Sequence, residues 1–431
     1  MSKRFIALLI AGMLFLTPTF AQADENSSDE PTVDKPFTKV EPPPLNEPEK
    51  LADDEKTAQP PVDKPQPLDE PQPTYEPPPV DKPKPLDEPQ QPTYEPPQVE
   101  QVEGLEFLVY HQNGVMAFAI IADHEKYQVR PVLAKGQIPG RATVSQMNAP
   151  DAIATINASY FATNGVILGN TKIDGVTAGT TYYIRSAIGI MADGSIIFGR
   201  QTWRGVLQFN GTEVNVDGVD CERPENGVIV YNGWYGARTG TNNFGTELVV
   251  QDGVVVSIVR DEGNSWIPPD GYVVSAHGTA AENFAAVYEG DKISFDEDYI
   301  NVEHGGDFNS AIHIIGAGPT LVKDGEVYVT ADAEQFPKDI RVGRAPRSAF
   351  GVTQYGDYIF AVVDGRQAHS KGCTLEEWAR ILKNSFGAVE AINLDGGGSS
   401  ELVFKGSLVN KPSDGRERAV GDALTIVRKS N

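Results

Sequence analysis

Ala391-Ile392-Asn393-Leu394-Asp395-Gly396-Gly397-Gly398-Ser399-Ser400-Glu401-Leu402-Val403-Phe404 sets the terms on which this chain folds. An apolar strand carries a carboxylate to its end, three glycines strip the next turn of side chains, and two hydroxyls precede a second strand. Without Cβ atoms, consecutive glycines let backbone N–H groups turn toward a bound anion. The plainer alternative is a hairpin closed by an Asp-Gly turn.

Just upstream, Thr374 and Glu377 make a capping box, and Leu375, Trp378, Ile381, Leu382 and Phe386 make an apolar stripe that Gly387 ends. The spacing predicts a helix over 375–386. Before it runs the strand Ile359–Val363, which ends in Asp364 and the loop Gly365-Arg366-Gln367-Ala368-His369-Ser370-Lys371-Gly372. Strand–helix–strand order predicts a crossover that sets the strands 359–363 and 389–394 parallel. Asp364 and Asp395 then share one sheet edge. Two carboxylates beside an arginine and a Gly-rich turn suit acid–base work or attack at a sugar carbon. An Asp that only caps a turn is the alternative for each.

Further out, short β-branched and aromatic runs dominate residues 104–431, a region of 328 residues. Leu105–Tyr110 and Ala117–Ile121 read as strands. Ile188–Met191 turns at Asp193-Gly194 into Ile196–Phe198, and Glu247–Val250 turns at Asp252-Gly253 into Val254–Val259. A short helix is expected ahead of Ala152–Ile156. The predicted class is α+β, strand-rich with few helices. Arg185–Phe198 aligns without gaps to Arg347–Phe360 with seven of fourteen positions identical. Thr171–Gly175 resembles Leu321–Gly325 more loosely, so two pseudo-repeated halves with a site between them are expected.

The N-terminus reads as a signal peptide over 1–23: Lys3 and Arg4, an apolar core from Phe5 to Phe20, then Ala21-Gln22-Ala23. Residues 24–103 hold 21 of the 32 prolines, 21 acidic residues and 7 lysines. They repeat, Pro61–Pro71 recurring 18 residues later as Pro79–Pro89. With no apolar periodicity this segment is expected to be disordered or polyproline-like. It would be a spacer of at most ~250 Å that contacts the cell envelope or holds the folded part away from a surface. Secretion, or a place in the periplasm or envelope, follows, with no membrane span after signal cleavage.

The net charge is −24, of which the folded region carries −12. That balance argues against nucleic acid and anionic membranes as partners. A negatively charged substrate then needs a local basic patch, and Arg341, Arg344 and Arg347 form one stretch while Arg366 sits in Asp-Gly-Arg. Metal and cofactor chemistry has no signature: there is no C-x-x-C, H-E-x-x-H or EF-hand loop, and the six histidines are scattered. Cys221 and Cys373 allow one disulfide, which nothing in their spacing requires. Asn157 ends the run before Tyr160 and Phe161, where its amide orients a sugar hydroxyl or satisfies a turn. Tyr160 and Phe161 form a stacking wall or core. His369, alone in its loop, is a weak substrate-contact candidate. A serine nucleophile at Ser399 fits poorly, since it leads into a strand rather than a helix.

These residues resemble the phosphodiester glycosidase family. The matching pieces are Asn157-Ala158-Ser159-Tyr160-Phe161, Leu168-Gly169-Asn170, Arg347–Gly351 and Asp364-Gly365. The helix 375–386, Asn393–Ser399 and Pro412–Arg416 complete the set, in matching order. Ser159 departs from a family glycine, and 200–310 shows no matching motif. The resemblance implies hydrolysis between a sugar's anomeric carbon and a phosphate, on an N-acetylglucosamine-1-phosphodiester-like substrate or a phosphorylated glycan. Arg347, Arg366 and the turn Gly396, Gly397, Gly398, Ser399 would hold the phosphate. Asp395 and Asp364 would serve the sugar carbon or activate water, and Asn157 and Asn393 would position hydroxyls. The competing class is a non-catalytic envelope module that binds phosphorylated glycans.

Overall fold

The computed structural model describes residues 102–181, 183–303 and 306–429. The expected signal peptide over 1–23 and nearly all of the expected spacer over 24–103 lie outside these described residues.

The run from 358 to 395 builds the centre. In a seven-stranded sheet, Arg347–Thr353 lies between Tyr358–Val363 and Ala388–Asn393 and is antiparallel to both. The outer two are therefore parallel, as the crossover predicts, but with a third strand between them. Leu375–Phe386 makes the crossover, with the Thr374–Glu377 capping box formed and Gly387 left-handed at φ 75°. Alternation along 358–363 serves two cores. Tyr358, Phe360 and Val362 face one core with Phe350, Ile392 and Leu394; Ile359, Ala361 and Val363 face the helix with Ala349 and Ala391. Alanines on that face let Trp378 and Leu382 sit directly on the sheet.

The other face packs against a five-stranded sheet that includes Ala152–Asn157, Leu402–Phe404 and Asp422–Arg428. Asp395–Ser400 is thus no hairpin. The strand before it belongs to the central sheet and the strand after it to the second, so the glycine turn crosses between two sheets. A short helix, Val144–Met147, does precede Ala152–Asn157.

A third sheet holds Ser294–Asn301, Ile196–Phe209, Arg185–Ile190, His313–Gly316, Thr171–Ile173 and Val176–Gly179 in that order. Its 185–190 strand pairs Ile188 with Phe198, as Phe350 pairs with Phe360 in the central sheet. Residues 218–277 supply a fourth sheet, from Gly218–Val219 to Gly271–His277, with its own core around Leu248, Val274 and Phe284. Its Asp252-Gly253 turn has φ of 49° and 70°, the left-handed pair that a two-residue hairpin requires. The molecule is strand-rich with few helices; 375–386 is the one long helix among the described residues. Cys221 and Cys373 are both free thiols. No helix among the described residues is long and apolar enough to cross a membrane.

Trp378 is fully buried and meets Phe386 edge-on, ring centroids 6.3 Å apart. Trp378→Ala is expected to cost about 3–5 kcal/mol, read as a lower denaturant midpoint at unchanged m-value. A loss below about 1 kcal/mol would contradict the packing described.

Candidate active site

Register brings three chain segments to one edge of the central sheet. Arg347 pairs with Val363, immediately before Asp364, and Ala349 pairs with Asn393, two residues before Asp395. The backbone of Pro346 is the contact between them. Gly397 N–H donates to Pro346 O at 2.9 Å. A Cβ at Gly365 would lie 2.7 Å from Pro346 N, and one at Gly396 would lie 2.9 Å from Pro346 O. Both loops need glycine because they pack directly onto that backbone.

Asp395 is held by its backbone as much as by its side chain. Its N–H donates to Ala158 O at 2.8 Å, and its carbonyl accepts from Asn157 Nδ2 at 2.7 Å. Its Oδ1 accepts from Gly396 N–H at 2.9 Å. Burial pushes its pKa up to about 6, against the pull of Ser399, the Gly396 N–H and Arg418. Asp422, fully buried, accepts from Ser159 N–H and Ser159 Oγ, both at 2.8 Å. Burial lifts it to about 6 as well, and the charge of Asp395 adds to the lift. Ser159 thus supplies both a backbone and a hydroxyl donor to this second carboxylate.

The glycine turn is flanked by two guanidinium groups. A Cβ at Gly397, where φ is 65°, would lie 3.4 Å from Arg366 Nη1 and 3.5 Å from Nη2. Arg366 is exposed and has no ion-pair partner among the described residues. The space where Gly398 would carry a Cβ is filled by Arg418 and Asp414. Arg418 donates through Nε and Nη2 to Asp414 Oδ2 at 3.0 and 2.6 Å, and through Nη1 to Ser399 Oγ at 3.4 Å. Its backbone N–H donates to Glu401 Oε1 at 2.6 Å. Glu401 is buried, and burial pushes it up to about 8, with the neighbouring Glu417 adding to the lift.

Asp364 works through a neighbour. It is fully buried: Oδ2 lies 2.8 Å from His369 Nε2, and Oδ1 accepts from Asn410 Nδ2 at 3.1 Å and Lys411 N–H at 3.0 Å. Burial raises its pKa, with the His369 hydrogen bond opposing. With both oxygens engaged, Asp364 fixes the orientation of the His369 ring.

The remaining candidates are turned toward the protein. Arg347 is buried and donates through Nε to Cys373 O at 3.3 Å, and through Nη2 to Ile340 O and Gly343 O at 3.1 and 2.7 Å. Asn157 Oδ1 accepts from Ser348 Oγ at 2.7 Å and Glu401 N–H at 3.2 Å. Asn393 Nδ2 donates to Tyr160 Oη at 3.0 Å, while its Oδ1 is buried without a partner. Tyr160 donates to Gly318 O at 3.0 Å, and its ring lies 5.4 Å from that of Phe336. The one group of three with ligand atoms close enough to share an ion among the described residues is Asp123, His124 and Asp357. It sits at the turn after Tyr358's partner strand, on the sheet edge opposite Asp395.

Sequence reasoning missed Asp422, Glu401, Asn410 and Arg418. Asp422 follows a glycine at the head of a β-rich run, the one signal it offers; Glu401 stands within the opening run itself.

Residues 244–427 match the NAGPA sequence profile, described as phosphodiester glycosidase. Over 81 residues the chain is 42% identical to the SPbeta prophage-derived protein YomE of Bacillus subtilis, covering 19% of this chain and 12% of that one. Over 116 residues it is 33% identical to N-acetylglucosamine-1-phosphodiester alpha-N-acetylglucosaminidase of Mus musculus, covering 25% and 22%. The chain spans about a fifth or less of the length of these relatives. A solved structure from Synechocystis has a similar fold, with a TM-score of 0.66 at 23% identity over 75% of this chain and 62% of that one. Residues 244–427, which carry Arg347, Arg366 and Asp395, are thus the part of the chain that is similar to the phosphodiester glycosidase family.

Proposed function

We propose that the protein is an exported glycosidase that hydrolyses the bond between a sugar's anomeric carbon and phosphate in a sugar-1-phosphodiester. The observation that carries this reading is the Asp395–Ser399 turn: a carboxylate tuned to about 6, bare glycine backbone, and the unpaired Arg366 guanidinium against Gly397. A departing phosphomonoester has its second pKa near ~6, so it leaves with little help from a general acid. What the reaction needs is an anion clamp and support for an oxocarbenium-like carbon. Arg366 and the turn receive the phosphate. Asp395 acts at the anomeric carbon, directly or through water, and Asp364 holds His369 for a proton or a hydroxyl. Asn157 and Asn393 fix the strand ends that carry these groups. Supporting export is the charged, apolar, A-x-A order of the N-terminus; the proline-rich repeats would hold the domain off the envelope. The matched strand order and register of the central and third sheets support descent from a duplicated unit.

Asp395→Asn is expected to lower release of free sugar from an N-acetylglucosamine-1-phosphodiester about 10²–10⁴-fold, with thermal unfolding unchanged within a few degrees. Near-normal turnover would remove Asp395 from the mechanism, and absence of sugar release by the unmodified chain would leave a binding module instead.

The carboxylate must be ionised to act, and burial has raised its pKa, so activity is lost on the acid side. The negative charge of Asp395 raises Asp422, so the two carboxylates act on one another. The pH profile of kcat/KM is expected to rise through about pH 6 and level off above it. Asp422→Asn removes a neighbouring negative charge, which eases ionisation of Asp395 and moves that limb to lower pH. A limb that stays in place, or moves up, contradicts the pairing.

A further inference from the structure

Arg185 lies outside the residues matched to the family, yet it occupies in the third sheet the place that Arg347 occupies in the central one. The two sheets have the same local order. Ile196–Phe209, Arg185–Ile190, His313–Gly316, Thr171–Ile173 and Val176–Gly179 correspond to Tyr358–Val363, Arg347–Thr353, Ala388–Asn393, Thr320–Lys323 and Glu326–Val327. Ala317 N–H donates to Ser186 O at 3.0 Å as Leu394 N–H donates to Ser348 O at 2.9 Å. One residue further on, Gly318 stands where the central sheet has Asp395. The two strand ends meet: Gly318 N–H donates to Asn393 O at 2.9 Å, and Gly318 O accepts from Tyr160 Oη.

The two arginines are employed differently. Arg347 spends its fork on backbone carbonyls. The Arg185 guanidinium packs on the rings of Tyr183 and Phe336, 4.3 and 4.2 Å from their centroids. Its Nε is buried with no hydrogen-bond partner, and no carboxylate among the described residues pairs with it. Stacking occupies the face of a guanidinium and leaves its N–H edge directed away from the rings, ready for a bidentate anion. A buried donor left unpaired is costly, and an anion would offset that cost. Arg185 also belongs to the neighbourhood of Asp395. Phe336 stacks near Tyr160, and the Tyr160 hydroxyl feels both the negative charge of Asp395 and the positive charge of Arg185.

We propose that Arg185 is the bidentate phosphate-binding residue of this site, held by Tyr183 and Phe336 in the role that Arg347 leaves unfilled. The identity of the anion rests on the glycosidase reading; the anion-binding fork does not. In the full chain carrying Asp395→Asn, calorimetry would compare N-acetylglucosamine 1-phosphate with N-acetylglucosamine. Adding Arg185→Gln is expected to weaken the phosphorylated ligand about 10–100-fold, the worth of a charge-assisted pair, and to leave the neutral sugar unchanged. Arg185→Lys keeps charge and stem but not the fork, and is expected to restore only part of the affinity; it is the variant to read if Arg185→Gln fails to fold. With Asp395 intact, Arg185→Gln is expected to raise KM more than it lowers kcat. Equal binding of the phosphorylated ligand by Arg185→Gln, or equal loss for both ligands, overturns the proposal. Arg185-dependent phosphate binding in a chain that cleaves no phosphodiester would uphold it and sink the glycosidase reading instead.

Discussion

The site depends on one side-chain amide. Asn157 ends a strand of the second sheet, and its Nδ2 donates to the carbonyl of Asp395 while its Oδ1 accepts from Ser348 and from the backbone of Glu401. Ser348 lies in the central sheet, and Asp395 and Glu401 bracket the glycine turn. A single buried group therefore fixes the two ends of the turn against the two sheets it joins. Buried amides are costly unless fully paired, so the arrangement holds only when all three partners are in place.

Around that anchor the molecule gathers carboxyl groups where water is scarce. Asp395, Asp422 and Glu401 are each lifted by burial, and the protein answers with hydroxyls and N–H groups rather than with full ion pairs. Ser159 serves Asp422, Gly396 serves Asp395, and Arg418 serves Glu401 through its backbone while its guanidinium is bound to Asp414. Neutral donors stabilise a carboxylate less than a cation does. The result is a set of acids tuned toward neutrality instead of a set of quenched charges.

Local signals made the centre of this fold legible. The capping box and apolar stripe gave the 375–386 helix to the residue, and the crossover argument gave the parallel relation of its flanking strands. The place of strand 347–353 between them was not legible, because pairing order is set by packing that spans the chain. The glycine turn could not be read as a bridge between sheets for the same reason: a strand's sheet is not written in its own residues. At the site, Asp364 and Asp395 stood out because each ends an apolar strand. Asp422 and Glu401 did not, since their roles come from Ser159 and Arg418, which are distant in sequence. Arg347 shows the opposite failure, a conspicuous arginine whose fork is turned inward to hold a loop.

Glu401 has a consequence for the range in which this turn stays intact. Its carboxyl sits near Glu417, and burial has moved it from 4.5 to about 8. The native state therefore keeps a proton that the unfolded chain releases above about pH 4.5, so this group's contribution to stability shrinks as pH climbs toward 8. Beyond that point a second negative charge appears behind Ser399 and Ser400, close to Glu417. The protein thus carries an alkaline ceiling of its own, built into the turn's foundation; Glu401→Gln would lift that ceiling without touching the acid limb.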